Sequence, residues 1–154
     1  MSTIAKEKIK AYLKTHPAMV VSTINKGHTP HGAVVYIFAP TPETLYFMTK
    51  TETEKYKNLA HSTKISLTTF DETDNSTLQA TGTAEIVNDH DTIGKIMSAV
   101  AHLYQRSPDS LPPLTKFKAG DYAFVKVTLT HARLAQFGTH HAGDKRMFTE
   151  FTSK

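Results

Sequence analysis

Leu45-Tyr46-Phe47-Met48-Thr49-Lys50-Thr51-Glu52-Thr53-Glu54-Lys55-Tyr56-Lys57-Asn58-Leu59 begins as an apolar, aromatic run and becomes a helix start crowded with hydroxyls and lysines. Leu45 to Met48 is short and aromatic, which predicts a β-strand. Thr51 followed by Glu54 fits the capping-box pattern, and Tyr56, Leu59 and Ala60 then recur at helical spacing. A strand is therefore expected to run straight into a helix. The first N–H groups of a helix lack internal partners and carry partial positive charge, so such a junction suits a phosphate. Thr49, Thr51 and Thr53 can add hydroxyls, and Lys50 and Lys55 full positive charges. The plain alternative is a capped helix with a solvated Lys/Glu face. Glu52 and Glu54 favour it, because carboxylates at the same helix start repel a phosphate unless they point away.

Working outward, Ile4, Lys8, Ile9, Tyr12 and Leu13 follow a helical period, predicting a helix from about Thr3 to Thr15 that Pro17 helps to end. Ala18 to Ile24 is rich in branched residues and reads as a strand, and Asn25-Lys26-Gly27 as a turn. Pro30 to Phe38 is a second strand whose two faces are both apolar, so both are expected to be covered. After the turn Pro40-Thr41-Pro42-Glu43, the opening stretch supplies the third strand of an antiparallel meander.

A short helix over Glu54 to His61 comes next, then strands over Lys64 to Phe70 and Thr77 to Val87, with Gly82 marking a bulge or a close backbone approach. Asn88 or Asp89 can cap a long helix carrying Ile93, Ile96, Met97, Val100 and Leu103 on one face, with its methionine as core filler. Ser107 to Pro113 reads as a loop, a candidate lid or partner contact. Tyr122 to Leu129 alternates cleanly and is expected to continue, after a bend, through Ala132 to Phe137. Met147 to Phe151 reads as a last strand. Six or seven antiparallel strands of this kind avoid exposed edges by closing into a barrel, so the fold class is mainly β with flanking helices.

At 154 residues and 39% hydrophobic content, residues 1–154 suffice for a single domain with a substantial core. The absence of cysteine removes disulfides, thiolate metal sites and a cysteine nucleophile. No leader-like apolar segment opens the chain and no apolar run approaches membrane-spanning length, so a cytoplasmic protein with no membrane partner is expected. A net charge of +4 suits an anionic ligand, but no Lys/Arg run marks a nucleic-acid face.

The histidine pairs His28/His31 and His140/His141 lack the spacing and carboxylates of a zinc hydrolase, so no metal site is assigned. No Gly-x-Ser-x-Gly elbow, Gly-x-Gly-x-x-Gly fingerprint or Walker lysine loop occurs. What remains is the strand-to-helix anion site and a barrel around it.

In the order of its elements the chain resembles the flavin-binding split barrels typified by the pyridoxine/pyridoxamine 5'-phosphate oxidases and the general stress proteins related to them. The resemblance covers roughly Ile9 to Phe137. It rests on the opening helix with Val20-Val21-Ser22-Thr23-Ile24, on His31-Gly32-Ala33-Val34-Val35-Tyr36, on Leu45 to Leu59, and on Leu78-Gln79-Ala80-Thr81-Gly82-Thr83-Ala84. It implies a six- to seven-stranded, Greek-key-like split barrel binding flavin mononucleotide (FMN) at a homodimer interface, and an oxidoreductase acting on a small molecule.

Residue by residue, the resemblance makes Thr49, Thr53 and Lys55 phosphate ligands, with Lys50 able to join them. Ala33, Val34 and Val35 match the strand whose backbone runs along the flavin ring, and Thr77 and Gln79 a strand closing the site from the neighbouring subunit. Tyr36, Arg133 and the tail histidines are candidates for the substrate side, and no catalytic residue is assigned. The chain departs from the vitamin-forming oxidase at Ala33, where that enzyme has an arginine, and at Thr53-Glu54-Lys55, where it has Ser-Arg-Lys. Its substrate-binding C-terminal segment is not recognisable in Arg133 to Lys154. The alternative on the same barrel is a non-catalytic protein that binds or stores a flavin, a deazaflavin or haem, the last with His140 or His141 as axial ligand.

Overall fold

A computed structural model describes residues 2–106, 121–138 and 141–153. The elements follow the expected order: α1 (Ser2–Thr15), β1 (Ala18–Ile24), β2 (Pro30–Phe38), β3 (Thr44–Lys50), α2 (Glu54–His61), β4 (Lys64–Thr68), β5 (Ser76–Val87), α3 (His90–Arg106), β6 (Tyr122–Gln136) and β7 (Phe148–Thr152). The segment Ser107 to Pro113, His140 and the side chains of Val100 and Leu103 lie outside the described residues.

The sheet runs β3-β2-β1-β4-β5-β6-β7, and β6 pairs back onto β3, closing six antiparallel strands into a barrel with β7 outside the ring. The long β6 makes closure possible. One of its edges follows β5 from Gln136 back to Phe124. The other pairs first with β3 over Tyr122 to Thr128 and then with β7 over His131 to Ala135. Between these halves the register with β5 shifts by one residue at Thr81/Gly82, which leaves Thr130 as the extra residue of a bulge. Gly82 is needed there because a Cβ would lie 2.2 Å from the Thr128 carbonyl oxygen.

Alternation fills the barrel. Leu45, Phe47 and Thr49 of β3 point inward to meet Val125, Val127 and Leu129 of β6 and their neighbours. α1 seals one side with Ile9, Tyr12 and Leu13, and the Tyr12 hydroxyl bonds Thr69 and Ser76 at 2.9 and 3.0 Å. His16 stacks on Tyr12 and reaches Asp71 at 2.9 Å, fastening the end of α1 to the β4–β5 turn. The Asp89 carboxylate accepts from the Thr92 N–H at 2.8 Å and so caps α3.

Three expectations are corrected. The cap of α2 is Thr53, not Thr51, because the Thr51 N–H is taken by the Asp121 carbonyl and the Thr53 N–H by that of Lys50. Residues 51–52 are thus spent in a turn, and Tyr56 rather than a glutamate stands at the reciprocal position. Among the described residues nothing covers the outer face of β2: Val34 is 52% exposed and its cross-strand partner Val20 is 42% exposed. Met97 is 49% exposed, since α3 turns Ile96 rather than its methionine inward. Among the described residues no helix is long and apolar enough to cross a membrane.

Candidate functional site

The β3–α2 junction builds its site from a strand end and a helix cap. Thr49 is the last inward-facing residue of β3, fully buried, and its hydroxyl lies 3.0 Å from that of Thr53. Thr53 donates to the Lys50 carbonyl at 2.8 Å and accepts the Tyr56 N–H at 3.4 Å, which fixes its oxygen at the head of α2. Lys55 stands two residues beyond that cap. Partial burial pushes its ammonium below the ordinary lysine pKa, so the charge there is incompletely solvated. Glu54, by contrast, pairs with Lys57 at 3.3 Å on the exposed face, and Glu52 is exposed too. The solvated Lys/Glu face and the anion-suited face therefore coexist on one short helix.

Lys50 departs from this group. Successive strand residues face opposite sides, so it leaves β3 away from Thr49. It is buried, with its ammonium 5.8 Å from the Tyr122 ring centroid.

β2 and β3 pair only at Ile37↔Phe47 and Phe38↔Tyr46, so the two strands part above α2. The Ile37 N–H points to the β1 side, where it donates to the Pro17 carbonyl at 2.8 Å. Backbone direction alternates along an antiparallel strand. Ala33 and Val35 thus spend their amides on the β1 ladder, while those of Val34 and Tyr36 face the gap toward β3. Of the three expected backbone residues, Val34 is the one with groups to offer there.

Thr77 and Gln79 lie elsewhere. Both are on the outer face of β5, and the Thr77 hydroxyl donates to the Thr69 carbonyl at 2.7 Å. Registers place Gln79 in one cross-sheet row with Thr68, Val20 and Val34, three strand spacings from β2, or roughly 14 Å along the sheet. In the other direction round the barrel its β6 partner Arg133 pairs with Glu150 of β7 rather than with β3, so by neither route is Gln79 beside the β2–β3 gap of its own chain. It shares a depression with Ser66, Thr68, His131 and Arg133. Ser66, Thr68 and His131 escaped sequence reasoning, because only the pairing of β4, β5 and β6 makes them neighbours.

The histidine pairs do not converge. His28 sits in the turn at φ 60° and is exposed, whereas His31 faces inward with its Nδ1 buried and without a hydrogen-bond partner among the described residues. His141 is exposed. Among the described residues the one cluster with metal-ligand proximity is His16, Asp71 and Asp74, which the α1 contact already explains.

An antiparallel barrel that parts between two of its strands defines a split barrel, and the hydroxyl- and lysine-bearing start of α2 is its candidate anion site. The family described as pyridoxamine 5'-phosphate oxidase matches residues 5–136, and the chain belongs to that family. Among solved structures it is similar to a protein related to general stress protein 26 from Clostridium acetobutylicum (15% identity, 99% of this chain and 96% of that one, TM-score 0.66). It is also similar to general stress protein 26 of Bacillus anthracis (20% identity, 84% and 92%, TM-score 0.63). A nimC/nimA family protein of Clostridium acetobutylicum shares the fold at 12% identity (97% and 94%, TM-score 0.65). No curated protein matches the chain.

Proposed function

We propose that this protein is a cytoplasmic, homodimeric, FMN-dependent oxidoreductase acting on a small molecule, with the cofactor lying in the gap between β2 and β3. The observation that carries this reading is the Thr49–Thr53 hydroxyl pair at the head of α2, with a half-desolvated Lys55 beside it. The first amides of a helix and an ammonium suit a phosphate monoester, and Thr49 and Thr53, whose hydroxyl protons are engaged with each other and with the Lys50 carbonyl, join them by giving up those bonds. The unladdered backbone groups of Val34 suit the hydrogen-bonding edge of a flat heterocycle.

The flavin supplies hydride or electron transfer, and the chain supplies binding, orientation and electrostatics. Lys55 neutralises the phosphate, Thr53 positions it, and Val34 orients the ring by its main chain. Gln79 and Thr77 face away from their own gap, so in this reading they close the site of a second copy. The exposed Val20 and Val34 are the surface that such a copy covers.

The test is an absorbance spectrum of the purified protein, followed by titration with FMN and reduction by NADH or NADPH. A bound flavin that is reduced and then reoxidised by an acceptor is expected. Colourless protein that ignores FMN refutes the cofactor, and a bound flavin that never turns over refutes the enzyme in favour of storage.

A further inference from the structure

We propose that His16, Asp71 and Asp74 form a binding site for a divalent transition-metal ion of the zinc type, which clasps the end of α1 to the β4–β5 turn. Each of the three side chains brings one ligand atom within 4.8 Å of the other two. The α1 contact accounts for the meeting of His16 and Asp71, at 2.9 Å. It does not account for Asp74, whose carboxylate has no hydrogen bond or ion pair among the described residues, although a second negative charge beside Asp71 is repulsive. The site is separate from the α2 junction and does not depend on the flavin reading.

The placement of protons on His16 points to a cation. Its Nδ1 lies 3.0 Å from the Tyr12 carbonyl and 2.9 Å from the Thr15 hydroxyl oxygen. That hydroxyl spends its own proton on the same carbonyl, at 3.0 Å, so Nδ1 must be the donor. A neutral ring then has a bare lone pair at Nε2, 2.9 Å from an Asp71 oxygen that carries no proton at neutral pH. Two acceptors this close require a cation, either a second proton on the ring or a metal ion. A ring that donates Nδ1–H to a backbone carbonyl and offers Nε2 to carboxylates has the arrangement of a metal-ligating histidine.

The frame that holds these ligands is already rigid. The His16 ring stacks on Tyr12 at 3.8 Å with 9° between the planes, and the Tyr12 hydroxyl is itself held by Thr69 and Ser76. The Thr73 N–H donates to Asp71 Oδ1 at 2.8 Å, which leaves Oδ2 for His16. Asp71 and Ser76 exchange backbone hydrogen bonds across the turn, and the Phe137 N–H donates to the Asn75 carbonyl at 3.0 Å, so the end of β6 braces the segment that carries Asp74. Tetrahedral zinc, with bonds of about 2.0–2.2 Å, sets its ligand atoms roughly 3.3–3.6 Å apart. His16 and Asp71 need only spread slightly, and the exposed Asp74 side chain swings in by about 1 Å. One imidazole and two carboxylates leave the fourth position to water, and the nitrogen donor favours Zn²⁺ over Mg²⁺ and Ca²⁺, which prefer oxygen alone.

The bland reading is an imidazolium–aspartate pair with Asp74 idle, and the experiment separates the two. Chelator-stripped protein, as the intact chain, is titrated with Zn²⁺ by calorimetry and with Co²⁺ by visible absorption. A single saturable site per chain is expected, with the Co²⁺ bands displaced by Zn²⁺ and unaffected by Mg²⁺. Asp74→Asn keeps the His16–Asp71 pair, yet should weaken Zn²⁺ roughly tenfold or more and remove the rise in melting temperature that Zn²⁺ gives the wild type. Replacing His140 and His141 together by Ala should leave the affinity unchanged. The ¹⁵N resonance of His16 Nε2 should move on adding Zn²⁺ while Nδ1 keeps its proton.

Wild-type protein that shows no saturable Zn²⁺ binding overturns the proposal. So does an Asp74→Asn variant that binds as wild type does, or binding that is lost with His140 and His141, which would place the metal on the tail. Should Asp74→Asn fail to fold, the wild-type His16 resonance decides alone: a saturating shift of Nε2 keeps the site, and an unmoved resonance removes it.

Discussion

The Thr49 and Thr53 hydroxyls stand 3.0 Å apart, so the last inward residue of β3 and the cap of α2 share a hydrogen bond. That contact couples the barrel wall to the helix start.

Lys55→Ala is expected to weaken FMN binding by ~1.5–3 kcal/mol if the ammonium meets the phosphate, as measured by calorimetry. Burial lowers the Lys55 pKa from its ordinary 10.5, so the free protein loses this charge at a lower pH than a solvated lysine would. FMN affinity should therefore fall as pH rises through that lowered pKa, and Lys55→Arg should abolish the fall. Folding moves the opposite way: the unfolded chain holds the proton more tightly, so stability contributed at Lys55 rises with pH between the lowered value and the unfolded one. An alkaline profile identical in wild type and Lys55→Arg would reject the role.

Thr53→Val removes the side-chain oxygen that accepts the Tyr56 N–H, and should cost about 1 kcal/mol of stability in urea unfolding. Thr53→Ser keeps the oxygen and should be near neutral. Equal losses from both would place the cap elsewhere.

Val20→Lys puts an ammonium in the middle of the exposed valine pair. Light scattering should find a wild-type dimer and a variant monomer that has lost FMN affinity. A monomeric wild type sinks the interface outright.

Gly82→Ala forces a methyl to 2.2 Å from the Thr128 carbonyl, and overpacking of this kind costs about 1–3 kcal/mol. Gly94→Ala on α3, where a Cβ meets nothing within 4 Å, is the control and should stabilise by about 0.5–1 kcal/mol. Calorimetric melting that ranks the two variants the other way contradicts the bulge.

Glu43 binds Lys6 of α1 and Ser153 beyond β7, and these partners, Lys6 first, hold its carboxyl below the usual value of 4.5. A depressed carboxylate contributes stability that is present above the unfolded pKa and lost as pH falls through the folded one. Wild type should thus lose stability on acidification below 4.5 more steeply than Glu43→Gln. Parallel acid limbs would show that the clasp contributes nothing.

Much of the barrel was legible in the chain. Branched and aromatic alternation located every strand, the pair Asn88-Asp89 marked the start of α3, of which Asp89 is the cap, and Gly82 announced a bulge or close approach, because each is a local matter of side-chain period or backbone room. The cap of α2 was misplaced by two residues because the carbonyl of Asp121, distant in sequence, takes the Thr51 N–H. Likewise the two apolar faces of β2 looked alike, and only closure decided that Val35 lies inside and Val34 outside.

The sequence by itself determined the strand-to-helix junction and its complement of hydroxyls and ammonium groups, since these follow one another along the backbone. Tertiary structure alone decided that Thr49 turns to Thr53 while Lys50 turns to Tyr122, that Val34 keeps unladdered amides, and that Gln79 and Arg133 share a depression. Register between strands far apart in the chain sets those relations, and a slip of one residue would send each side chain to the opposite face.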